Sequence, residues 1–199
     1  MPIELKLTRF RRRRATIPVP VSDKTRIATL TPCKIDGVNS RFYPPQHWSQ
    51  VEAIGANILI GRPQQLRQLA TLLDDSGMDQ DVVDTAVLVA TELGAPTLND
   101  VERVVLWQTF GVPVYELLIA PDGQLIACEC EAREGWHLQR NVDLDPLTHI
   151  IRLRTGGRYR SVAIAVQVAA QPCACGRKEP RLIAKAERQH AASVLAATA

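Results

Sequence analysis

Aromatic residues are scarce in this chain: Phe, Trp and Tyr together make up 5% of its 199 residues. So few rings leave no evident stacking platform, which argues against nucleic acid as a partner. Charge of either sign is in small excess only, with 24 Lys and Arg against 21 Asp and Glu, so no global field draws polyanions or lipid. The one local excess is Arg9 with Arg11 to Arg14, which reads as a solvated N-terminal arm. No apolar run approaches the ~20 residues that span a bilayer, and the N-terminus lacks the apolar core of a secretory signal. The chain is therefore expected to be cytoplasmic with no membrane partner. Repeats and low-complexity stretches are absent apart from the arginine run. What is present, 46% hydrophobic and 23% charged, is ordinary globular composition that can bury a core as one domain or two coupled lobes.

The first 50 residues are punctuated by Pro18, Pro20, Pro32, Pro44 and Pro45 and read as an irregular arm. Short β-prone stretches lie at 16–21 and 26–30, and a short helix is expected at 46–54. Residues 51–120 then alternate. Ala56 to Ile60 reads as a buried strand ending at Gly61, and Pro63 opens a helix with Leu66, Leu69, Ala70 and Leu73 at helical spacing. Thr85 to Ala90 is a second strand. Asn99 caps a helix whose Val101, Val104, Val105 and Trp107 are expected to face inward, and Gly111 ends it. Val112 to Ile119 is a third strand, so the order predicts an α/β lobe with a partial parallel sheet. Residues 121–185 lose the helical period. Asp122-Gly123 is a hairpin turn, and strands at 124–131, 149–153 and 161–168 predict an antiparallel, barrel-like β lobe. The tail, 186–199, is alanine-rich and is expected to be helical.

Five cysteines in a reducing compartment point to metal or chemistry rather than disulfides. Four form two tight pairs, Cys128 with Cys130 and Cys173 with Cys175. Cys173-Ala174-Cys175-Gly176 suits a turn presenting two sulfurs together. Cys130 and His137 flank Glu134-Gly135, a turn that brings both to one point. Three thiolates and an imidazole are a common structural zinc set. Cys128 shares a strand face with Cys130 and competes for one ligand place. Cys33, isolated among prolines, reads as a core thiol, and His47, His149 and His190 read as surface or core histidines. No residue is assigned a catalytic role.

These residues carry a resemblance. Phe110 to Tyr115, Cys128-Glu129-Cys130-Glu131 and Gly135-Trp136-His137-Leu138 follow the order seen in phenylacetate–coenzyme A ligases and related adenylate-forming enzymes. Ile151 to Gly156, including Arg154 and Thr155, resembles that family's strand before the ribose-binding loop. Pro172 to Arg177 with Pro180-Arg181-Leu182 resembles its cysteine-rich turn. Ile60 to Pro63 and Thr91 to Gly94, with Glu92, resemble earlier landmarks. The likeness covers about residues 52–185. It implies part of the large ligase domain, with zinc on Cys130, His137, Cys173 and Cys175, and so favours Cys130 over Cys128.

The departures bear on activity. A Ser/Thr/Gly-rich phosphate loop is missing upstream of Gly61. After Tyr115 the family has Gly-x-Thr-Glu, whose carboxylate holds magnesium; here Glu116-Leu117-Leu118-Ile119 continues the strand. Gly157 stands where the family's ribose-binding aspartate is expected, and the chain ends near the family's hinge, without its catalytic lysine. Each loss removes a charge-stabilising contact to ATP, so ATP is not an expected cofactor. The expectation is a non-catalytic zinc-binding homologue acting as a binding or accessory module, with a protein partner or self-association and a small-molecule acid or coenzyme A as candidate ligand. The alternative is one part of a split or divergent acyl-activating ligase completed by a partner chain or homodimer.

Overall fold

The computed structural model describes residues 17–22, 24–33, 35, 40–50, 55–76, 82–145, 147–148, 150–155, 158–162 and 167–183. The arginine run, His149, Gly157, His190 and the alanine-rich tail lie outside them.

Two sheets carry the fold. The strands are β1 (Ile27–Thr29), β2 (Ser40–Phe42), β3 (Ala56–Gly61), β4 (Val83–Glu92), β5 (Val114–Ile119), β6 (Leu125–Glu129), β7 (Trp136–Leu138), β8 (Val142–Leu144), β9 (Ile151–Thr155), β10 (Arg158–Val162), β11 (Gln167–Val168) and β12 (Arg181–Ile183). The large sheet has nine strands in the order β11-β12-β7-β6-β5-β4-β3-β1-β2. From β2 to β5 all pairings are parallel; from β5 outward to β11 they are antiparallel. The expected barrel-like lobe is thus an extension of the parallel sheet, joined by a separate three-stranded sheet β10-β9-β8. The extension follows from the Asp122-Gly123 hairpin. Gly123 adopts φ 79°, and a Cβ there would come within 2.3 Å of the Pro32 carbonyl oxygen. Only glycine allows that approach, so β6 folds back beside β5 instead of leaving the sheet.

Helices α1 (Pro63–Ser76) and α2 (Asp100–Phe110) make the β3–β4 and β4–β5 crossovers and pack against each other. Leu66, Leu69, Ala70 and Leu73 of α1 are buried as their spacing predicted. Asn99 and Glu102 form a capping box, and Gly111 closes α2 in the left-handed conformation. The inward face of α2 differs from expectation. Val101, Val104, Val105 and Trp107 are exposed, and Leu106 and Phe110 are buried. The cause is Arg103, which lies on the same face as Leu106 and Phe110. It donates to the Val114 carbonyl at 2.7 Å and forks onto Glu129 at 2.9 and 3.0 Å, fixing the helix's rotation.

Other differences are local. Residues 45–50 form a 3-10 helix, with the remainder of the expected helix outside the described residues. Residues 17–21 form no strand, although Ile17 is buried against the core. The chain from Arg181 to Ile183 is a strand. No helix among the described residues is long and apolar enough to cross a membrane.

One polar cluster is embedded in this core. Glu116 of β5 accepts from Thr91 Oγ1 at 2.6 Å and from the Leu98 amide at 2.9 Å, through a single oxygen. Its other oxygen is buried with no hydrogen-bond partner. Burial raises the pKa of this carboxyl; the Thr91 and Leu98 hydrogen bonds and Arg103 oppose the rise, and the Glu129 carboxylate adds to it. A carboxylic acid whose folded pKa is raised binds its proton more tightly when folded. Stability is then lost as pH climbs from the unfolded value near ~4.3 through the raised one. Glu116→Gln should remove that loss. Urea unfolding of both proteins at pH 5 and pH 8 should show the variant gaining on the parent at the higher pH; an unchanged difference would refute it.

Candidate metal centre

Strand β6 delivers Cys130 to the end of the large sheet. A turn follows in which the Arg133 amide donates to the Cys130 carbonyl at 3.0 Å, with Arg133 itself at φ 53°. Gly135, at φ 128°, passes beneath β12, where a Cβ would lie 2.2 Å from the Leu182 carbonyl oxygen. Strand β7 then sets His137 opposite Cys128 on β6 and opposite Arg181 on β12. Those pairings draw the segment before β12 alongside. There the Gly176 amide donates to the Cys173 carbonyl at 3.0 Å, and Gly176 at φ 76° closes a turn that presents Cys173 and Cys175 together.

The Sγ atoms of Cys130, Cys173 and Cys175 and a ring nitrogen of His137 all lie within 4.8 Å of one another. Cys130 and Cys173 are 3.5 Å apart; Cys175 and His137 Nε2 are 3.3 Å apart. A tetrahedral ion with metal–sulfur bonds of ~2.3 Å holds its sulfur donors ~3.8 Å apart, so this Cys3His cluster could bind a metal ion. Cys130, His137 and Cys173 are buried and Cys175 is partly so. Burial, with the Cys175 and Cys173 sulfurs beside it, pushes the Cys130 thiol up to about 12. Burial lowers the His137 pKa, helped by Arg177 and Arg181, and keeps the imidazole in its neutral, metal-binding form. His137 Nδ1 lies 3.3 Å from the Glu179 carbonyl, the kind of outer contact that orients a ligating imidazole.

Glu134 and Arg181 complete the surround, and neither was marked by spacing because they stand 47 residues apart. Arg181 pairs with Glu134, holding its carboxyl below the usual carboxylate range, and Glu134 faces the Ala174 amide at 3.5 Å. The pair clips the Cys173 turn onto the Cys130 turn. Cys128 is not among the converging four. It is buried in the core, where its sulfur meets Gln139 at 3.5 Å and Arg177 at 3.9 Å, and burial raises its thiol to about 11. Cys33 is likewise a core thiol, pushed up to about 12 by burial.

The remaining landmarks are dispersed. Glu92, at the end of β4, pairs with Arg62. Tyr115 is partly buried, with the Arg133 guanidinium 5.9 Å from its ring centre. Arg154 is exposed on β9, and Thr155 ends that strand.

No protein-family model and no curated protein sequence matches the chain. Solved structures do. 2-Hydroxyisobutyryl-CoA ligase, in an open conformation with 2-HIB-AMP and CoA, matches with a TM-score of 0.56 over 79% of this chain and 43% of its own, at 10% identity. The same ligase in its thioesterification state gives 0.57 over 79% and 42%, at 11% identity. In a postadenylation complex with R3-HIB-AMP it gives 0.55 over 78% and 42%, at 11% identity. The class so defined is one of fold: the chain has the architecture of part of an acyl-CoA ligase. It spans less than half the length of those ligases.

Proposed function

We propose that this chain is a non-catalytic, zinc-binding relative of the acyl-CoA ligases, nearest in kind to the phenylacetate–CoA ligases, that serves as a binding or accessory module. Zinc suits the donor set, since it favours thiolate and imidazole in a tetrahedron. Cys130, His137, Cys173 and Cys175 would hold it. Four protein donors leave no place for water or substrate, so the ion would supply folding energy and no chemistry. The thiolates require a reducing compartment, in keeping with a cytoplasmic protein.

The observation that carries the non-catalytic part is β5. Where the resemblance calls for a glycine turn and a magnesium carboxylate, Leu117, Leu118 and Ile119 run on as buried strand, paired with β4 as far as Glu92. A strand of apolar side chains offers no carboxylate to a metal–triphosphate at the position where the resemblance expects one, which supports the reading. Isothermal titration with magnesium-ATP should give no binding heat, and mixtures of ATP, CoA and aryl or aliphatic acids should release no pyrophosphate. Either signal would overturn the reading.

A second reading, one part of a split ligase completed by a partner chain or a second copy, rests on β2. That strand is the outer edge of the large sheet among the described residues, with Phe42 half exposed, and an open edge can accept another strand. It is a short edge, Ser40–Phe42, and carries Arg41. Light scattering that finds only monomer, together with no strand-donating partner on co-purification, would remove this reading.

A further inference from the structure

We propose that the outer face of the small sheet, β8 to β10, binds single-stranded nucleic acid. Register defines the face. Arg154 stands opposite Tyr159 and Arg152 opposite Ser161, so these four side chains share one side, with Asp143 beside Arg152. Ile151 and Leu153 alternate to the other side and are fully buried. The sheet therefore has one face in the core and one in solvent. Composition alone suggested no stacking platform, yet Tyr159 is 58% exposed here, with its cross-strand neighbour a guanidinium.

Two guanidinium groups share the face with that ring, Arg152 and Arg154, with Asp143 beside the first. Between residues 136 and 183, eight Lys and Arg face three Asp and Glu, although the whole chain carries only +3. Arg152 pairs with Asp145 and Arg160 with Asp122. Arg154 makes no ion pair among the described residues and is exposed; Arg158 and Arg160 stand opposite Thr155 and Leu153 and so lie on the other side of the sheet from the ring. Arg140, also exposed, precedes Asn141, whose carbonyl accepts from the Arg154 amide at 2.9 Å, so a further cation borders the same strand. Arg152 and Arg154 are two residues apart on one strand face, roughly 7 Å along it. Successive phosphates of an extended strand can be met at such a spacing while a base lies on the Tyr159 ring. Stacking requires a bared base, which a duplex hides within its helix. A lipid surface would call for several apolar side chains to insert; among the described residues β8 to β10 place only Tyr159 as a large apolar side chain on this face, with the exposed Leu147 in the β8–β9 connection.

The test is fluorescence anisotropy of the full metal-loaded chain with a labelled mixed-sequence single-stranded RNA. The same sequence as duplex, heparin and phosphatidylserine vesicles serve as competitors. Single strands should bind in a salt-dependent manner and be displaced poorly by duplex. Tyr159→Ala should weaken binding roughly tenfold, and Tyr159→Phe, which keeps the ring, should bind as the parent does. Arg154→Gln should lower the salt slope by about one. The proposal fails if no binding occurs, or if duplex or vesicles compete better than single strands. It fails equally if Tyr159→Ala has no effect, including the case where deleting residues 1–16 alone abolishes binding. Tyr159 and Arg154 are exposed, so each variant should melt as the parent does and report on the surface.

Discussion

Stripping the metal with a strong chelator in reducing buffer, or replacing Cys173 by alanine, should unravel the antiparallel half of the molecule while leaving β3 to β5 in place. Structural zinc sites contribute apparent binding free energies of about 10–16 kcal/mol in small domains, comparable with the whole stability of an average protein. The segment from Gln167 to Ile183 is otherwise held by Leu182 in the core, Val168 packed beside it, and short strand pairings. β11 pairs over two residues and β12 over three, and Cys173 is the buried residue of the turn that precedes β12. The Glu134–Arg181 pair that assists it is partly exposed and so is a weak tether. Loss of the ion should lower the melting temperature by about 10 °C or more, given ~2–4 °C per kcal/mol at this chain length. Hydrogen exchange should show protection lost at 130–138 and 167–183 and kept at 56–61 and 83–92. Cys128→Ala is the control: its sulfur lies in the core, so one equivalent of zinc should remain. Unchanged melting after chelation would rule out a structural ion.

How much of this was legible in the sequence depended on how local each signal is. The ends of α2 were readable, because Asn99, Glu102 and Gly111 act within one turn of the helix they bound. Its rotation was not. Val101, Val104, Val105 and Trp107 make a more apolar stripe than Leu106 and Phe110. Their exposure follows from where Arg103 finds its partners on β5 and β6, which the helix sequence does not contain. The hairpin at Asp122-Gly123 was evident, while the continuation of one sheet through β6, β7 and β12 depends on pairing between segments more than 40 residues apart. The Cys3His grouping was visible as two close pairs with a histidine between them. Spacing left Cys128 and Cys130 in competition, because both share a strand face. Register separates them: Cys128 lies within β6, opposite His137 and against the core, and Cys130 lies one residue past its end. Glu116 and Glu129 looked like ordinary charged positions in short strands. Only the packing of α2 over them reveals that both are buried.

Arg103→Met should be the most damaging single change away from the metal, and its effect should reach the metal. The Arg103 and Glu129 side chains are 12% and 6% exposed, and their forked contact is the only strongly buried ion pair among the described residues. Glu129 also accepts from the Glu116 amide at 2.7 Å. Removing the guanidinium leaves a buried carboxylate without its counter-charge and the Val114 carbonyl without its donor. Breaking a buried pair in this way costs about 3–5 kcal/mol, or roughly 10 °C or more in melting temperature. Pairing it with Glu129→Gln should recover much of that loss, because the amide oxygen can still accept from Glu116 and no charge is stranded. A double-mutant cycle in urea measures the coupling. Glu129 immediately precedes Cys130, so the same contact ties the helix layer to the first of the four proposed zinc ligands. If Arg103 sets the end of β6, Arg103→Met should surrender zinc to a competing chelator more readily than the parent, with an affinity loss on the order of 10–100-fold, as for outer contacts of metal ligands. Glu116→Gln, which leaves the fork intact, should retain zinc as the parent does. Full zinc retention in folded Arg103→Met would mean that the helix layer and the metal turn are held independently.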